Sequence, residues 1–154
     1  MKDHRVLFLC TGNYYRSRTA EELFNHYAQK RQLSWSADSK GLKEDMGILG
    51  NIGTISHLAV NFLNGIQVPI TGKDRSPVSV QKEDFLEYDR VICLDKKEHL
   101  PMMQARFPIY YEEVEYWEIA DVDVSPSFLA LPGIHELVLT LVKELVLEED
   151  RIFP

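Results

Sequence analysis

Cysteine is scarce in this 154-residue chain, which holds only Cys10 and Cys93. Two cysteines cannot build the disulfide framework of a small secreted domain, and in a reducing compartment both are expected to be free thiols. Long apolar runs are missing too, since none approaches the ~20 residues of a transmembrane helix. The opening MKDHRVLFLC is charged before a four-residue apolar run, so no signal peptide is expected and a cytoplasmic location follows as the default. The five histidines (His4, His26, His57, His99 and His135) are scattered without paired ligand spacing, which argues against a metal site. Positive charge is in deficit, 17 Lys and Arg against 24 Asp and Glu for a net −7. That balance disfavours a nucleic-acid surface, yet leaves room for a locally positive pocket that takes one phosphate.

What is present is an ordinary globular composition, 45% apolar and 27% charged. A chain of this length buries roughly 70% of its unfolded surface in a single core. Neither repeats nor a linker divide it, so one domain over 1–154 is expected.

Val6-Leu7-Phe8-Leu9 is a continuous apolar run, the pattern of a strand buried on both faces of a parallel sheet. It stops at Cys10, and Thr11-Gly12-Asn13 is turn chemistry. Ala20, Leu23, Phe24 and Tyr27 then fall at helical spacing, predicting an amphipathic helix over about 17 to 31. Leu33 to Ala37 reads as a second strand. Gly41 to Gly53, with four of the eight glycines, reads as an irregular loop. Ile55, Leu58, Ala59, Phe62 and Leu63 predict another helix closed by Gly65 at C′, followed by a strand from Ile66 to Ile70. Thr71 to Lys82 is polar and reads as loop. A short helix at Asp84 to Leu86 precedes a strand at Arg90 to Leu94, and Asp95 is placed to cap a helix starting at Lys96. Trp117 to Ile119 is expected to be extended and Asp121 to Ser127 a loop. After Pro132, the stripe Ile134, Leu137, Val138, Leu141, Val142, Leu145 and Val146 predicts a final helix, whose last residues should fray. Strands alternating with helices indicate an α/β fold around a mostly parallel sheet.

The chemistry concentrates in Cys10-Thr11-Gly12-Asn13-Tyr14-Tyr15-Arg16-Ser17, between a buried strand and a helix N-terminus. Unpaired backbone N–H groups and the positive end of the helix dipole converge there, so a phosphate fits inside the ring of donors from Thr11 to Ser17. Arg16 adds a planar fork able to hold two phosphate oxygens. The same field favours a thiolate at Cys10, which makes it a nucleophile in line with phosphorus. Gly12 allows close backbone approach, Asn13 suits a left-handed turn, and Ser17 is placed to donate a hydrogen bond to the thiolate.

The segment VLFLCTGNYYRSRTAEELF resembles the active-site signature of the low-molecular-weight protein tyrosine phosphatases, a hydrophobic strand followed by C-x-G-N-x-x-R-S. Ser36-Ala37, Lys82-Glu83-Asp84-Phe85 and Tyr88-Asp89-Arg90-Val91-Ile92 resemble later passages of the same family. The resemblance implies a four-stranded parallel sheet flanked by helices, with the phosphate loop after strand one. It implies phosphomonoester hydrolysis through a cysteinyl phosphate, on a phosphorylated protein or a small aryl phosphate, with no metal or organic cofactor. It also implies a general acid in an Asp-Pro pair on a late loop. Trp117-Glu118-Ile119-Ala120-Asp121-Val122 resembles that passage and puts Asp121 in the role, although Val122 replaces the proline and Asp123 remains an alternative. Many members carry a second cysteine where Tyr15 stands. Tyr14 matches neither the small aliphatic residue of tyrosine-specific members nor the Thr of those acting on phosphoarginine. The aromatic wall after strand two aligns with Leu42.

Two other functions stay open. A thiol-dependent arsenate reductase would share the loop but needs further thiols, and only Cys93 remains, expected as an inert core residue. A weakly catalytic phosphate- or phosphoprotein-binding module would fit the altered acid loop and the bulky Tyr14 and Tyr15. Tyr110, Tyr111, Tyr116 and Trp117 are read as packing beside a solvated acidic face, and Lys73, Arg75 and Lys82 as solvated loop cations.

Overall fold

A computed structural model describes residues 3–152. The chain opens with β1 (His4–Cys10), turns through residues 11–15 and enters α1 (Arg16–Lys30). β2 (Trp35–Gly41) follows, then a 3-10 helix at Met46–Leu49, α2 (His57–Gly65) and the short α3 (Asp84–Glu87). β3 (Arg90–Cys93), α4 (Lys96–Arg106), β4 (Glu115–Tyr116) and α5 (Ser127–Ile152) complete it. The described residues form one four-stranded sheet in the order β2-β1-β3-β4, with every pairing parallel.

β1 is central, so both of its faces must be apolar, and Val6 to Leu9 are wholly buried. Val6, Phe8 and Cys10 point to one layer, against Ala20, Leu23 and Phe24 of α1 and Ile134, Val138, Leu141 and Leu145 of α5. Leu7 and Leu9 point to the other, against Val91, Cys93, Met103 and Phe107. The predicted stripes on α1 and α5 are the ones that cover the sheet.

The structure differs from the sequence reading in five elements. The simplest is the last strand, which is Glu115–Tyr116 rather than the expected 117–119, where only Glu118 makes an isolated bridge, to Asp95. β2 begins two residues later than expected and runs on to Gly41, because each residue from Trp35 to Gly41 pairs with one from His4 to Cys10. Gly65 is the last residue of α2 rather than its C′ residue. Gln67 takes the left-handed position (φ 60), with Gln67 N–H donating to Asn64 O and Val68 N–H to Leu63 O. Residues 66–70 therefore serve the helix end and form no strand. α5 starts at Ser127 and carries Pro132 inside it. Proline removes one N–H donor there, while burial of Ala130, Leu131 and Ile134 on both sides of it favours continuing the helix. At the other end α5 runs to Ile152, and the fraying expected of 153–154 lies outside the described residues.

Candidate active site

Cys10 ends β1, where the pairing with β2 closes at Gly41, and the chain must leave the sheet at once. Gly41 permits this, since a Cβ there would stand 2.9 Å from Thr11 O and 3.1 Å from Asn13 N. Leu42 N–H and Lys43 N–H donate to Cys10 O and Thr11 O at 2.8 and 3.1 Å, holding the start of the loop against the following strand end. Asn13 adopts φ 49, a left-handed conformation that Asn tolerates better than most residues.

Asn13 is wholly buried and all of its side-chain capacity is used. Its amide donates to Ser17 Oγ at 3.0 Å and Ser39 Oγ at 2.8 Å. Its oxygen accepts from Arg75 Nη1 at 2.9 Å and Val78 N–H at 3.0 Å. Arg75 also reaches Glu21 at 2.9 Å and Ser39 Oγ at 2.8 Å. It is therefore a structural prop of the loop, not the solvated cation expected from the sequence.

Arg16 opens α1, and its side chain is almost completely buried. Nη1 donates to Ile119 O at 2.9 Å and Nη2 to Glu98 Oε2 at 2.6 Å, with Asp121 Oδ2 at 3.5 Å. Burial alone would lower its pKa, but Cys10, Glu98 and Asp121 around it raise it overall. Ser17 Oγ lies 3.0 Å from Cys10 Sγ.

Cys10, Thr11, Gly12, Tyr14, Tyr15, Arg16 and Asp121 line one cavity of about 280 Å³, walled further by Leu49, Asn51, Ser56, Leu58 and Val122. Nearly all of the residues singled out from the sequence thus meet in one place. Asn13 and Ser17 stand just behind the wall, bonded to each other. Asp121 lies at the cavity, whereas Asp123 is exposed outside its walls. Val122 N–H donates to Asp121 Oδ1 at 2.8 Å, a bond that proline at this position would lack. Leu42 is not a wall of this cavity. It is wholly buried in the second core layer, and Leu49 and Asn51 face the cavity instead. Tyr15 is 6% exposed, and its hydroxyl has no hydrogen-bond partner among the described residues. Burial and Asp121 together push the Tyr15 phenol up.

Glu98, on the first turn of α4, was not legible from the sequence. Against the penalty of partial burial, hydrogen bonds from His99, Arg16 and Thr11 hold its carboxyl well below the usual carboxylate range. Cys93 is wholly buried and burial pushes its thiol up. Among the described residues no group of three His, Cys, Asp or Glu is placed to hold a metal ion, and no helix is long and apolar enough to cross a membrane.

Comparison with known proteins agrees with this geometry. The profile of the low molecular weight phosphotyrosine protein phosphatases matches residues 5–121. The low molecular weight phosphotyrosine protein phosphatase of Sus scrofa is 31% identical over 94 residues, 59% of this chain and 54% of that protein, so the match spans about half of that relative. The crystal structure of a low molecular weight protein tyrosine phosphatase from T. tengcongensis superposes with a TM-score of 0.75 at 24% identity, covering 92% of this chain and 99% of that one. A YwlE mutant from Bacillus subtilis gives a TM-score of 0.75 at 21% identity over 93% of this chain and 99% of its own, and another YwlE mutant structure is described as an arginine phosphatase. At these identities the solved structures establish the fold alone. With the family profile covering three quarters of its length, the chain belongs to the low molecular weight phosphotyrosine protein phosphatase family.

Proposed function

We propose that the protein is a cysteine-dependent phosphomonoesterase that forms a cysteinyl-phosphate intermediate and acts on aryl phosphates, phosphotyrosine above all. One juxtaposition carries the reading: Cys10, Arg16 and Asp121 line a single cavity although they come from a strand end, a helix start and a distant loop.

In the first step Cys10 Sγ attacks phosphorus, and the bond from phosphorus to the substrate oxygen breaks with its electron pair on that oxygen. Asp121, protonated, delivers its proton to the leaving oxygen. Water then attacks the cysteinyl phosphate, the Asp121 carboxylate takes its proton, and the Cys10 thiolate leaves. Arg16 spends one hydrogen from each Nη on protein acceptors, so three of its five N–H groups stay available to phosphate oxygens. Ser17 stabilises the thiolate before attack and on departure.

The substrate preference rests on the walls. Tyr14, Leu49, Leu58 and Val122 give the cradle an aromatic and aliphatic mouth, suited to a flat stem rather than a short polar one. Phosphotyrosine reaches the loop through such a mouth, whereas phosphoserine is short.

Steady-state hydrolysis of p-nitrophenyl phosphate and of phosphotyrosine, phosphoserine and phosphoarginine peptides tests this directly. Asp121→Asn is expected to slow aryl phosphate hydrolysis by roughly 10²–10⁴-fold, with Asp123→Asn near wild type. A wild type that binds phosphate without turning over any of these substrates would make it a binding module instead. A larger loss in Asp123→Asn would move the acid two residues along the loop.

A further inference from the structure

Both ends of the phosphate loop are tied to a single oxygen of α4. Glu98 Oε2 accepts from Thr11 Oγ1 at the start of the loop and from Arg16 Nη2, 2.6 Å away, at its end. The same oxygen lies 3.0 Å from His99 Nε2. His99 is wholly buried, and its Nδ1 accepts from Asp95 N–H at 3.0 Å. An imidazole that accepts at Nδ1 carries its proton on Nε2, so the ring donates toward Glu98. Contacts therefore run from the chain just beyond β3, through His99 and Glu98, to both ends of the cradle. Glu98 stands outside the cavity walls and meets the guanidinium from the α4 side.

We propose that Glu98 is the positioning residue of the phosphate loop: it fixes the guanidinium plane of Arg16 relative to Thr11, so that the cradle is formed before an anion arrives. The proposal rests on the phosphomonoesterase reading above. Charge alone would work the other way, because a carboxylate beside an anion site repels the anion. The gain must come from orientation, which a neutral acceptor oxygen at the same place would preserve. Without Glu98, Arg16 keeps Ile119 O and Asp121 as partners. The guanidinium would then turn toward Asp121 and draw it away from the leaving oxygen.

Glu98→Ala, Glu98→Gln and wild type separate orientation from charge. The measurements are the affinity for inorganic phosphate by calorimetry, KM and kcat on p-nitrophenyl phosphate, and the guanidinium ¹⁵N–¹H resonances of Arg16. Glu98→Ala is expected to weaken phosphate binding and raise KM by roughly 10- to 100-fold, the loss of a charge-assisted hydrogen bond, with a smaller fall in kcat. Glu98→Gln should return phosphate affinity to within about threefold of wild type, since its amide retains an acceptor oxygen. Arg16 Nη resonances should be resolved in wild type and Glu98→Gln and averaged in Glu98→Ala. If Glu98→Ala does not fold, Glu98→Asn, one methylene short, takes its place with the same expected loss. Unchanged KM and phosphate affinity in Glu98→Ala, or a Glu98→Gln as impaired as Glu98→Ala, would overturn the proposal while leaving the phosphatase reading intact. If wild type neither hydrolyses nor binds phosphate, that reading falls, and the Arg16 resonances alone decide whether Glu98 positions the guanidinium.

Discussion

Ser17 Oγ lies 3.0 Å from Cys10 Sγ while accepting a hydrogen bond from Asn13 Nδ2 at 3.0 Å. Asn13 engages one lone pair of the hydroxyl, and once Cys10 is a thiolate the contact with sulfur can only be Ser17 Oγ–H donating to it. Ser17→Ala should therefore slow both alkylation of Cys10 by iodoacetate and turnover by about tenfold, the worth of a hydrogen bond to a charged group. Cys10→Ser should lose hydrolysis altogether and keep phosphate binding. Undiminished alkylation in Ser17→Ala would show that the loop amides and helix dipole alone hold the thiolate.

Leu42 and Leu49 separate packing from recognition. Leu42 is wholly buried beneath Arg106, which donates to its carbonyl at 2.7 Å. Leu42→Trp should overpack that layer and cost about 1–3 kcal/mol of stability or more. Leu49 faces the cavity, so Leu49→Trp should leave stability nearly unchanged and lower KM for aryl phosphates, with ring contact contributing about 0.5–1.5 kcal/mol. Thermal melts and KM values on the two variants check this, and the reverse pattern would return the wall to Leu42.

This misplacement shows where sequence reading stops. The loop from Cys10 to Ser17 was legible because strand, turn and helix signals lie within a few residues of one another. The stripes on α1 and α5 were legible because their spacing follows the helix period. The wall was not, because 41–53 has no period to align and a loop residue's side-chain direction depends on contacts made elsewhere. Arg75 and Glu98 were invisible for a related reason. Each meets the loop across 62 and 82 positions of sequence respectively, and only the fold brings them there.

Acid should destabilise the protein through two carboxylates in particular. Glu98 is held below its ordinary range by His99, Arg16 and Thr11, and Asp38, against the cost of burial, by Tyr88 and Arg5. The unfolded chain thus takes up protons on these groups before the native state does. Their contribution to stability is complete above the unfolded values near ~4 and is lost as pH falls through the depressed native ones. Tm should drop between pH 5 and pH 2, and Asp38→Asn and Glu98→Gln should each lower the upper plateau and flatten the drop. A variant with a lower plateau and an unchanged slope would remove that carboxylate from the account.

Oxidation gives the sharpest contrast with a thiol relay. Tyr15 occupies the neighbouring loop position, so no thiol in the loop can trap a sulfenic acid on Cys10. Cys93 is the remaining thiol, and its backbone is near, since Leu9 pairs with Cys93 in the register of β1 and β3. Side chains alternate across a sheet, however, and Cys10 packs with Val6 and Phe8 while Cys93 packs with Leu7 and Leu9 on the opposite face. A disulfide needs Cβ vectors that point toward each other, which here would require the sheet to open. Cys93 is also wholly buried with its thiol pushed up, so it offers little thiolate for attack. Mild peroxide should therefore carry Cys10 past sulfenic to sulfinic acid, with activity not restored by dithiothreitol and with Cys93 still reduced. Bound phosphate should slow the loss by covering the sulfur. Peptide mapping that finds a Cys10–Cys93 disulfide would overturn this and make a reductase relay feasible.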